Sequence, residues 1–437
     1  MMLIYSPNIT PRLQYVMQYV FHEQFGLDFT AVNDEIAFVN SNDAEKIVYS
    51  KKNIGNSFFI FSDDLVFAND IKELKIESGT INTNIVLFKH DKHDALGFDV
   101  FAAIFYLLSR YEEYLGKPPD KFGNYDFKNS ILHQLKCMHV AVVERWVGML
   151  KRALKEKFPS LQFKQCKARF ALSFDIDVAY EYNNRILART IGGIAKKIVK
   201  VKFTALKDQL LTLAHLKKDA FDTYDYIFQE IKNNKAIFFF NMGKYGQYDK
   251  NPSYQNKKFR NLISKIHKKH FIGIHPSYAS NSNYSLLTQE KSWLEEIINE
   301  KITASRQHYL KLKFPETYQQ LIKNGIQSDF TIGYHDTYGF RAGTCKSFLF
   351  FDLEKNETTS LRIFPFAFME GTFDDVMKLD VQTSKKIISD LLDETCMHEG
   401  IFIPLWHNST LFTKERREIF ESMLDAIKKR NLMNLFE

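Results

Sequence analysis

Two carboxylates two residues apart close a short apolar run in the segment SFDID, at Asp175 and Asp177. If the strand continues through them, alternation puts both side chains on one face. Such a pair suits metal-assisted hydrolysis, in which one carboxylate binds the metal and its neighbour takes a proton from water. The nearby positive charge keeps both ionised at neutral pH. The plainer use of the same pair is to cap a following helix. IGIHPSY places His275 at the end of another apolar run, and a borderline metal such as zinc takes His together with Asp. PLWHNST places His407 at a third such exit, where a group titrating near neutrality suits general-acid work. Arg306 ends a fourth run, KITASR. The motifs of other hydrolases (GxSxG, the P-loop, HExxH) do not occur.

These residues need a frame that gathers strand ends. Seven apolar runs, at 168–174, 235–241, 271–274, 301–306, 326–332, 361–366 and 401–406, are each followed by a polar turn and a helical stretch. The alternation implies parallel strands buried on both faces, and a closed barrel of about seven units fits the count better than an open doubly wound sheet. In such folds chemistry gathers at the C-terminal strand ends, where Asp175, Asp177, His275, Arg306 and His407 fall. Before this region the rhythm differs. SFFIFSDDLVFA reads as strands broken by a turn. GFDVFAAIFYLLSRYEEYLG reads as a helix buried at its apolar end and solvated at Arg110, Glu112 and Glu113. GKPPDKFGNY is a loop by its Gly and Pro content. VAVVERWVGMLKRALKEKF is a helix stopped by Pro159. The expected fold is therefore α/β in two domains, a smaller N-terminal α/β domain over 1–165 and a distorted (β/α)7-like barrel over 166–437.

The 437 residues are long for one core, and 40 Phe among them imply a large buried interior. The four cysteines form no CxxC pair, and no apolar run approaches the length of a leader or a membrane span, so a reduced, cytoplasmic protein is expected. The net charge of +7 is concentrated. Between Asn183 and Lys218 nine cations face one acid, a local +8 that leaves −1 for the rest. This stretch reads as a helical insertion beside the active-site mouth, meeting an anionic membrane or an acidic glycan, or else as a plain solvated face. No nucleic-acid partner is expected, and the oligomeric state stays open.

The residues singled out above are also where the chain resembles a known family, the polysaccharide deacetylases (the NodB-homology or carbohydrate esterase 4 group). FALSFDIDVAY resembles the first motif of that family, FFFNMG its second strand, IGIHPSYAS its His motif, ASRQHYL its Arg motif, and Leu405 with His407 its last motif. The resemblance covers about 168–412, and GFRAGTC (339–345) adds a segment seen in related deacetylases. The N-terminal part resembles a domain fused to such deacetylases in Bacteroidetes-type bacteria. The resemblance implies Asp175 as base, Asp177 and His275 as ligands of a divalent metal (zinc foremost), Arg306 as the holder of Asp175, and His407 as general acid. It implies an N-acetylated sugar or glycan intermediate as substrate. Arg341 is a candidate substrate contact, and the aromatics Trp406, Tyr278 and Tyr309 are candidates to stack on sugar rings, with simple packing as the alternative.

Two positions depart from the pattern. The second His of the His motif is Ala279, and the Pro of the Arg motif is His308. Catalytic zinc takes three protein ligands, so His308 is the expected third, with His335 behind it. Glu370 is the candidate for the acid that orients the arginine. The alternatives are an inactive carbohydrate-binding relative and an amidohydrolase for a small non-sugar amide.

Overall fold

A computed structural model describes residues 2–120, 123–183 and 203–437. Its N-terminal part carries a four-stranded sheet of β1 (Met2–Tyr5), β2 (Phe29–Val32), β3 (Lys46–Ser50) and β4 (Phe58–Phe61), ordered β2-β1-β3-β4 and parallel throughout. A hairpin of β5 (Ser78–Ile81) and β6 (Asn84–Leu87) follows. SFFIFSDDLVFA yields β4 alone, because Leu65 and Val66 are buried in a loop rather than in a second strand.

The helix Val100–Leu108 is buried over its whole length, and Asp99 starts it by accepting the N–H groups of Phe101 and Ala102. Its charged end is not solvated, which corrects the sequence reading. Arg110, Glu112 and Glu113 are all buried, with Arg110 2.9 Å from Glu113 and 3.2 Å from Glu112. Glu113 also takes the guanidinium of Arg341 at 2.6 Å, from the C-terminal domain. Buried charges persist when they are paired in this way.

The C-terminal part holds β7 (Arg169–Phe170), β8 (Leu172–Ile176), β9 (Ala236–Asn241), β10 (Phe271–His275), β11 (Ala304–Ser305), β12 (Ser328–Asp329), β13 (Phe348–Asp352), β14 (Glu357–Ile363), β15 (Phe368–Met369), β16 (Ile401–Phe402), β17 (Pro404–His407) and β18 (Met433–Asn434). Among the described residues the main sheet has nine strands, ordered β13-β14-β12-β11-β10-β9-β8-β17-β15, and only β13 runs antiparallel. In place of a closed seven-unit barrel, the ladder stops between its two ends. Pro365 lies between β14 and β15 and has no N–H to continue it. The sheet nevertheless curls. Phe366 N–H reaches Ile332 O at 2.9 Å and Ala367 N–H reaches Ile403 O at 2.8 Å. The curl encloses an inner core that includes Ala171, Ile237, Phe239, Phe330, Phe366 and Leu405. A smaller sheet, β16-β7-β18, lies beside it.

Of the basic stretch, residues 184–202 lie outside the described residues. Phe203–Leu213 is a helix, and Lys217 pairs with Asp208 at 2.7 Å. No helix among the described residues is long and apolar enough to cross a membrane.

The two parts are clamped together by GFRAGTC. Gly339 has φ +117°, and a Cβ there would stand 2.2 Å from Met138 O, while the Phe340 N–H donates to that same oxygen at 2.7 Å. A second clamp is Glu394, which accepts from Ala141 N–H at 3.0 Å and Arg145 at 2.8 Å. Burial pushes the Glu394 carboxyl up, but hydrogen bonds from His398, Arg145 and the Ala141 N–H outweigh this and hold it down to about 2. A carboxyl depressed in the folded state stabilises fully above its unfolded pKa of about 4.3 and loses that contribution as pH falls through the folded value. Glu394→Gln should therefore be less stable than the native chain at neutral pH, with the gap closing towards pH 2. Denaturant unfolding at a series of pH values measures it, and a pH-independent gap would reject the assignment.

Candidate metal centre and active site

The site is assembled from strand ends. β8 ends in Asp175 and Ile176 with Asp177 just beyond, β10 ends in His275, and β17 ends in His407, which pairs in register with Asp175. β11 ends at Ser305, so Arg306 and His308 follow directly. One ligand atom from each of Asp177, His275 and His308 lies within 4.8 Å of the others. His275 Nε2 is 3.0 Å from Asp177 Oδ1, and His308 Nε2 is 3.6 Å from Asp177 Oδ2.

Both imidazoles are turned by what holds their far nitrogen. The Nδ1 of His275 lies 2.5 Å from Arg306 O, an acceptor, so it must be the donor. The Nδ1 of His308 donates to Asp249 Oδ1 at 2.8 Å. Asp249 accepts in addition from Asn241 Nδ2 and from Tyr278 N–H. This leaves each Nε2 facing Asp177, the arrangement in which outer hydrogen bonds fix a metal-binding histidine. Burial disfavours charge on Asp177, yet His308 and His407 hold its carboxyl well below the usual range. Its Oδ1 is buried and, despite the nearby imidazole, has no hydrogen-bond partner. One carboxylate and two imidazoles with an orphaned oxygen among them fit a divalent metal, zinc by donor type.

Asp175 stands beside this triad. Arg306 Nη1 holds its Oδ1 at 2.9 Å, while Nη2 takes Ser173 Oγ and Nε takes Phe330 O. The guanidinium is fully buried among the rings of Phe239, Phe330 and Phe366, the first with its centroid 4.7 Å away. Phe239 fits there because position 273 is glycine, where a Cβ would meet its ring at 2.4 Å. Glu370 is not the orienter of Arg306. It accepts from His407 Nδ1 at 2.8 Å and from Thr410 Oγ1 at 2.9 Å, which leaves His407 Nε2 3.5 Å from Asp177 Oδ2. Burial would lower the His407 imidazole, but Glu370 and Asp177 raise it to about 10, so it carries a proton at neutral pH.

The triad, Asp175 and His407 open into a cavity of about 690 Å³ that Tyr309, Leu310, Met369 and Val376 also line. His335 lines it too, paired with Asp120 at 3.4 Å and apart from the triad. Of the candidate substrate contacts, Tyr309 is among the lining residues and the other three are not. Arg341 is consumed by Glu113 and Gly333 O. Trp406 is fully buried against Phe420 and Phe368. Tyr278 stacks on Tyr248 at 4.1 Å, with Lys311 Nζ 3.9 Å from its ring. Asn241 and Asp249 were missed by sequence reasoning. Asn241 ends β9 as His275 ends β10, a signal that was readable, but Asp249 sits in a loop with none.

The profile of a family of unknown function (DUF7033) matches residues 2–159. No curated protein matches the chain. Among solved structures, the chain is similar to the polysaccharide deacetylase Bc1974 from Bacillus cereus, at 13% identity and TM-score 0.31, over 61% of this chain and 90% of that one. It is similar to PuuE allantoinase at 9% and 0.40, over 60% and 85%. It is also similar to BA3943, a carbohydrate esterase 4 family pseudoenzyme from Bacillus anthracis, at 12% and 0.34, over 62% and 64%. What this site can do is decided by its own side chains.

Proposed function

We propose that the chain is a metal-dependent hydrolase that removes an acetyl group from an N-acetylated sugar or glycan intermediate. The observation that carries the reading is the convergence of Asp177, His275 and His308 within 4.8 Å beside the Asp175–Arg306 pair. Asp177, His275 and His308 would hold the metal, which when bound polarises the substrate carbonyl and acidifies water. Asp175 lies outside that donor set and is fixed by Arg306, so it is free to take the proton of the attacking water. His407 is oriented by Glu370 and donates its Nε2 proton to the departing amine. The inner core beneath the site buries the Arg306 guanidinium, which strengthens its hold on Asp175.

The test is metal analysis of the purified full chain, followed by turnover of a panel of N-acetylated sugars and small cyclic amides with and without chelator. Acetate release from sugars that stops on chelation is expected. Turnover of cyclic amides alone would move the assignment to a small-amide hydrolase. A chain that takes up no zinc would point to an inactive binding relative.

A further inference from the structure

We infer that the N-terminal domain is a structural part of the metal centre, through Asn124, a positioning residue for His308. The inference rests on the metal reading above. The turn that carries His308 is strained, since Tyr309 (φ 58°) and Leu310 (φ 52°) are consecutive non-glycine residues in the left-handed region. Such a turn persists only where its surroundings hold it. Part of that hold comes from the C-terminal domain itself. His308 N–H donates to Pro276 O at 3.3 Å, and Asn281 Nδ2 donates to Lys311 O at 2.8 Å.

The strained peptides themselves are bracketed by one side chain from the other domain. Asn124 Nδ2 donates to Tyr309 O at 3.0 Å, and its Oδ1 accepts the Leu312 N–H at 3.3 Å. Asn124 is 2% exposed, so neither bond is shared with bulk water. Its own backbone is pinned by Asp120, whose Oδ1 accepts the Asn124 N–H at 2.8 Å while the Asn124 carbonyl accepts the Asp120 N–H at 2.7 Å. The same Asp120 pairs with His335, also in the cavity lining, at 3.4 Å. Asp120 and Asn124 thus link His335, in the cavity lining, to the backbone of the turn that follows a ligand. The ring of His308 is aimed by Asp249; the strained turn that follows it is held by Asn124.

The experiment measures zinc affinity of the full chain by competition with a chromophoric chelator, with near-UV circular dichroism reporting the folded state. Asn124→Ala is expected to weaken zinc binding by about tenfold or more, the scale of lost outer-shell support. Asn124→Asp keeps the acceptor for Leu312 but loses the donor to Tyr309 O, and should fall between. Glu394→Gln loosens the same domain contact elsewhere and should leave zinc affinity unchanged. Zinc binding by Asn124→Ala as tight as the native chain's overturns the inference. So does an equal loss in Glu394→Gln, which would mark a general effect of domain contact. A native chain that binds no zinc overturns the metal reading itself.

Discussion

Asp175→Asn is expected to lower acetate release by at least about 10²-fold while zinc uptake is unchanged, the scale of a lost general base. Asparagine keeps the shape of the side chain and can still accept from Arg306, so the buried pair of hydrogen bonds that fixes this corner survives. What it loses is the ability to take a proton. The metal should be indifferent, because the donor set is Asp177, His275 and His308. Turnover equal to the native chain's, or loss of metal on this substitution, would show that the roles of Asp175 and Asp177 are wrongly assigned.

The second large effect is expected at His308. His308→Ala should weaken zinc binding by more than the roughly 10–100-fold that follows loss of an outer partner, because an inner ligand is removed. Neither of the two positions considered from the sequence can take its place. Ala279 is exposed and has no donor, and His335 is engaged with Asp120. Zinc binding of native strength in this variant, read by the same chelator competition, would mean that His308 is not a ligand.

Much of the site was legible because strand ends are local signals. The run before Asp175, the run before His275 and the run before His407 each became a strand that ends where the polar residue stands. The errors have a common physical origin in partners far along the chain. Arg110, Glu112 and Glu113 look like a solvated helix end until Arg341, 228 residues beyond Glu113, supplies the countercharge. Trp406 was avoidable. Strand alternation puts it on the face opposite His407, beside Phe174 in register, and hence among the helices rather than at the mouth. The departure of the sheet order from a simple seven-unit barrel involves strands only two residues long, such as β15 and β12, too short to leave a pattern. Asp249 had no local signature, because its role is set by a histidine 59 residues away.

The small sheet β16-β7-β18 carries a further consequence, for how the chain is made. β7, the first strand of the C-terminal part, pairs on one side with Ile401–Phe402 and on the other with Met433–Asn434. During vectorial synthesis both of its edges stay unpaired until those distant segments have left the ribosome, and contacts of such separation form slowly. The N-terminal sheet, by contrast, is built within residues 2–61, so its partners emerge early. The N-terminal domain can offer its loop as a ready surface on which the later half settles. A nascent chain halted shortly before residue 433 should therefore present a protease-resistant N-terminal part joined to a C-terminal part that is still readily cleaved.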